Sequence, residues 1–68
     1  MNYEEEVKKV YPEAFINFDE ELKAGSVYRG YFNTPFGKMP KALCHLLSEK
    51  DRDNAWKLAF DKIQSSNS

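Results

Sequence analysis

The chain lacks the covalent and metal staples that commonly hold small domains together. It has one cysteine, Cys44, and one histidine, His45, in 68 residues. No internal disulfide can form and no Cys/His zinc set can be assembled, so a fold here rests on packing or on a partner subunit. Long apolar runs are also missing, and none approaches the roughly 20 residues that a membrane helix needs. The opening "MNYEEEVKK" is too acidic and polar for a secretory signal. The expected location is therefore the cytoplasm of the cell that makes the protein, without membrane contact.

Hydrophobic residues make up 41% of the chain and aromatic residues 15%. Rings bury much area per residue, so a folded domain is expected even though a chain this short buries only about 60% of its unfolded surface. A single domain over residues 1–64 is expected, with "SSNS" at 65–68 as a frayed polar tail.

The net charge of −1 hides an uneven layout. Residues 1–25 carry seven acids (Glu4, Glu5, Glu6, Glu13, Asp19, Glu20, Glu21) against three lysines. Residues 26–50 carry Arg29, Lys38, Lys41 and Lys50 against Glu49 alone. The acids can imitate a line of phosphates, but carboxylates at a helix start are favourable anyway, and the overall charge is too small for long-range competition with nucleic acid.

Asn2 followed by Glu5 predicts a helix N-terminus, and Tyr3, Val7, Val10 and Tyr11 then form one stripe of a 3.6-residue period. Glu4/Lys8 and Glu5/Lys9 are correctly ordered pairs on its other side. Pro12 ends this helix and pushes Tyr11 towards extended geometry. In "AFINFD", Ala14, Ile16 and Phe18 alternate with Phe15, Asn17 and Asp19 as in a half-buried strand. "EELKAGS" reads as a connection whose glycine supplies an unusual backbone angle, and "VYRGYFN", residues 27–33, as a second, antiparallel strand. "TPFGKMP" reads as a turn. "KALCHLLS" suits a helix through Leu43, Leu46 and Leu47, and a strand through its length and flanking prolines; the strand is preferred, the helix left open. Ser48 with Asp51, then Trp56, Ala59, Phe60 and Ile63, predicts a final helix. The expected fold class is α+β: a small two-layer α-β-β-β-α domain with an antiparallel sheet of two to three strands.

Two segments carry a likeness. "VKKVYPEAF" supplies Val7, Tyr11, Pro12, Glu13 and Ala14, and "LSEKDRDNAWKLAFDKI" supplies Leu47, Ser48, Ala55, Trp56 and Ala59. Together they resemble small bacteriophage- and prophage-encoded proteins with a Val-x-x-x-Tyr-Pro-(Asp/Glu)-Ala segment and a C-terminal Ala-Trp-x-x-Ala helix. The likeness spans most of the chain but not "EELKAGSVYRGYFNTPFGKMP". It implies phage or prophage origin and action in a bacterial cytoplasm, and brings no catalytic residues. Physically the shared residues read as fold determinants, with Trp56 as the bulk of a thin core and Ala59 leaving room beside it.

Cys44 and His45 suggest a nucleophile with its base, but neighbours on a strand point to opposite faces. With no Gly-rich phosphate loop either, neither an enzyme nor a cofactor or metal site is expected. Binding residues are sought in the middle, where no acid occurs between Leu22 and Ser48 and where Tyr28, Arg29, Tyr31, Phe32, Phe36, Lys38 and Lys41 interleave rings with cations. Strict alternation places Arg29 and Tyr31 on one face and Tyr28 and Phe32 on the other; if the helices cover Tyr28 and Phe32, Arg29 and Tyr31 are displayed on the open sheet beside Phe15 or Ile16. The expected binding set is Arg29, Tyr31, Lys38 and Lys41. A protein partner of the host or phage ranks ahead of nucleic acid, because the cations are few. A homodimer through the same face is a further expectation.

Overall fold

A computed structural model describes residues 2–66. Asn2 caps the first helix, α1 (Tyr3–Val10), by accepting from the Glu5 N–H at 3.2 Å. Lys8 pairs with Glu4 at 2.7 Å, and Lys9 with Glu6 at 2.9 Å rather than with the expected Glu5. The chain leaves the helix at Tyr11, whose N–H still bonds the Val7 carbonyl, and turns through Pro12 and Glu13 until the Ala14 N–H meets the Tyr11 carbonyl.

Three strands follow, β1 (Phe15–Asp19), β2 (Ala24–Thr34) and β3 (Gly37–Leu46), in a sheet of order β1-β2-β3 with both pairings antiparallel. The β1–β2 link is shaped by residues that the expected glycine angle overlooked. Asp19 Oδ1 accepts from the Glu21 and Leu22 N–H groups, and Lys23 takes the positive φ of 53°. Gly25 serves a different need: a Cβ there would collide with the Asn17 carbonyl oxygen of β1 and sit 2.6 Å from Phe18 Cα.

The second link is tighter than "TPFGKMP" suggested. Only Pro35 and Phe36 form the turn, which Thr34 Oγ1 closes by donating to the Gly37 carbonyl at 2.7 Å and accepting from the Phe36 N–H at 3.1 Å. Gly37 has φ 108°, and β3 then runs straight through Pro40. A proline is tolerated there because β3 is an edge strand.

Ser48 caps α2 (Glu49–Asp53) by accepting from the Asp51 N–H at 3.1 Å. The expected single C-terminal helix is broken at Asn54, whose N–H and side-chain amide both bond the Lys50 carbonyl. Asparagine competes in this way for backbone groups and interrupts helices. α3 (Ala55–Ser66) then continues to the end of the described residues. Ser65 and Ser66 are thus helical rather than part of a frayed tail, while Asn67 and Ser68 of that expected tail lie outside the described residues.

Helices and sheet close on one core: Val7 of α1, Ala14, Val27 of β2, Leu43 and Leu46 of β3, and Ala55, Ala59 and Ile63 of α3. Ile16 and Phe18 pack against it from β1. The architecture is the expected small two-layer α+β domain. Trp56 is not its centre. It lies half-buried beneath the Lys8 ammonium, 5.4 Å from the ring centroid, and Tyr3 meets Phe60 at 5.4 Å. The rings thus seal the α1–α3 seam, and aliphatic residues fill the middle. Two ion pairs, Lys23 with Glu49 and Arg52 with Glu20, tie the β1–β2 link to α2. Hydrogen bonding and charge from Lys23 hold the Glu49 carboxyl below its usual range.

Candidate functional site

β1 covers only the first half of β2, pairing with Ala24 to Tyr28. Beyond Tyr28, β2 and β3 continue as a two-stranded arm with the register Tyr31–Pro40, Phe32–Met39, Asn33–Lys38 and Thr34–Gly37. Tyr31, Phe32, Phe36 and Met39, four of the seven large hydrophobic side chains that are exposed in the described residues, lie on this arm, and Phe36 at its tip is 92% exposed.

The arm begins at an irregularity that resets the side-chain alternation. Between the pairs Tyr28–Ala42 and Tyr31–Pro40, Arg29 and Gly30 stand opposite Lys41 alone. Such a bulge moves every later side chain of the strand by one step. Gly30 permits it with φ 134°, and Glu13 packs over the space where a Cβ would stand. Tyr28 and Tyr31 consequently share the outer face, where both stack on Phe15 with centroids 5.1 and 5.5 Å away.

Arg29 and Tyr31 therefore do not share a face, contrary to the alternation expected from the sequence. Arg29 turns to the helical side, its guanidinium 5.6 Å from the centroid of Tyr11, a ring that packs against the core. Its Nε is buried without a hydrogen-bond partner among the described residues. Tyr28 is not under the helices either, and Phe32 is exposed, with the Lys41 ammonium 5.8 Å from its centroid. Of the four expected binding residues, Tyr31, Lys38 and Lys41 are exposed on the arm and Arg29 is half-buried at its root. Sequence reasoning missed Met39 on this arm. The signal that locates the bulge was present in Gly30, since a glycine inside a strand marks such a break.

Cys44 and His45 diverge. Cys44 pairs with Val27 and packs on the core, where burial pushes its thiol pKa up. His45 lies on the outer face with Nδ1 3.0 Å from Ser26 Oγ, and Asn17 flanks Ser26 on β1. No group of three or more His, Cys, Asp or Glu side chains is placed to hold a metal ion among the described residues, and no described helix is long and apolar enough to cross a membrane.

Five acids are ion-paired among the described residues, Glu4 and Glu6 within α1, and Glu20, Glu49 and Asp53 with Arg52 or Lys23. The arm has no acid of its own, and Glu13 packs over Gly30 at its root. Comparison with family models, with curated proteins and with solved structures finds no match to this chain.

Proposed function

We propose that the chain is a small binding protein that recognises another protein through the β2–β3 arm and carries out no reaction of its own. The observation that supports this most directly is the concentration of exposed Tyr31, Phe32, Phe36 and Met39 beside Lys38 and Lys41. Aromatic and methionine side chains are enriched where proteins meet. The likeness of the two terminal segments to phage and prophage proteins supports a role as an accessory or host-modulating factor in a bacterial cytoplasm.

A second reading, a nucleic-acid-binding regulator, draws on the Phe15–Tyr28–Tyr31 rings with Lys38 nearby. Those rings already stack on one another, which leaves less face for bases, and the cations are few. Retention of a protein from nuclease-treated bacterial lysate by the wild type, but not by a folded Phe32→Ser/Phe36→Ser variant, is the expected result. Recovery of nucleic acid alone, abolished by nuclease, refutes the protein-binding reading.

A further inference from the structure

The two long edges of the arm differ, and the difference follows from Pro40. Proline has no N–H to give to a ladder, so the pair Tyr31–Pro40 is of the kind that exchanges no main-chain hydrogen bonds. Pairs alternate in an antiparallel ladder, and Asn33–Lys38, two steps on, is therefore of the same kind. At Tyr31 and Asn33 the β2 backbone consequently directs its N–H and C=O groups away from β3. That is the side on which β1 would lie, but β1 begins only at Phe15, opposite Tyr28. Residues 31–33 are exposed, so this stretch is an open strand edge. On the other edge, Pro40 interrupts the row of donors.

Open edges are usually blunted by charge, proline or cover. Tyr31, Phe32 and Asn33 carry none of these, and they continue a sheet that is already twisted and anchored by β1. The geometry points to strand addition: an extended peptide segment of a protein partner pairs with β2 at Tyr31–Thr34, end to end with β1. This rests on the protein-binding reading above and gives it a mode. The occupant is an acidic segment with alternating apolar residues. Tyr31 and Asn33 line one face of the added strand's neighbourhood and Phe32 the other, which suits apolar residues at alternate positions. Lys38 and Lys41 lie one strand further in, on an arm that carries no acid of its own, while Arg29 sits at the root, where Glu13 packs over Gly30. A second copy fits less well, because pairing arm to arm sets these cations against their own kind.

The test uses the full chain, labelled for nuclear magnetic resonance, and a blocked seven-residue probe alternating glutamate with valine and phenylalanine. Its counterparts are the same peptide N-methylated at every amide, and one with lysine for glutamate. The expected result is shifts centred on the amides of residues 31–34, a Kd weakened about tenfold or more by N-methylation, and no binding of the lysine peptide. Asn33→Pro, which removes a donor that the β2–β3 ladder does not use, should weaken binding similarly while leaving the other amide positions in place.

Equal binding of the N-methylated peptide, shifts confined to the β3 edge, or no binding at millimolar peptide overturns strand addition. Arm shifts that grow with protein concentration alone assign the edge to a second copy and overturn the acidic partner. If the probe fails while Phe32→Ser/Phe36→Ser still abolishes protein retention, strand addition falls and the binding reading stands; if both fail, both fall.

Discussion

Leu46 and Leu47 are chemically identical neighbours at opposite extremes of burial, 0% and 76% exposed. Leu46 is among the largest fully buried side chains and pairs across to Gly25, on the face that the helices cover. Truncating it to alanine removes three buried carbons and leaves a cavity, which costs about 3–5 kcal/mol where the surroundings cannot collapse. A domain of this length has a total stability of only about 3–10 kcal/mol. Leu46→Ala is therefore expected to unfold the protein or to lower its urea midpoint by at least about 3 M, taking a slope near 1 kcal/mol per M. Leu47→Ala is expected to change stability by no more than about 0.5 kcal/mol. Urea titrations followed by circular dichroism and by Trp56 fluorescence measure both. Equal losses in the two variants would refute the placement of the core face on β3.

The same pair shows what was and was not legible in the sequence. The helix ends were readable because capping is local: Asn2 with Glu5, and Ser48 with Asp51, each lie within four residues. The third strand was readable, with less force, from its prolines. The arm was not, because its shape depends on how Arg29–Gly30 faces Lys41 across the sheet, and a bulge is a property of two strands. Alternation over "VYRGYFN" consequently misplaced Arg29 and Tyr28. Trp56 was expected at the centre because its ring is the largest, yet the close approach of α3 to the sheet through Ala55 and Ala59 excludes so large a group and moves it to the seam. The exposure of Lys38 and Lys41 was legible from the acid-free middle segment, since it needed no register, whereas Tyr31 was placed outward by an alternation that the bulge replaces.

Gly25→Ala should cost more than about 2 kcal/mol or prevent folding, because the atoms it meets are β1 backbone, whereas Gly37→Ala, in open space but at φ 108°, should cost about 1 kcal/mol; thermal melts rank the two. Ser48→Ala removes the α2 cap and should cost about 1 kcal/mol, read in the same melts. Cys44 has its thiol pKa raised above 9.0, chiefly by burial, so alkylation at neutral pH should be slow in the folded protein and fast in urea. Because the unfolded thiol loses its proton first, this contribution to stability is complete below pH 9.0 and declines as pH rises above it, which a pH series of urea midpoints with a Cys44→Ala control checks.

The claim that the arm is the recognition surface is tested most directly by site-specific photocrosslinking in bacterial cells. A photoreactive phenylalanine analogue is placed at Phe36, 92% exposed on the arm tip, and separately at Leu22, 76% exposed on the β1–β2 link. The account predicts a discrete crosslinked protein from position 36 and none from position 22. A crosslinked protein from position 22 with none from position 36 would contradict it.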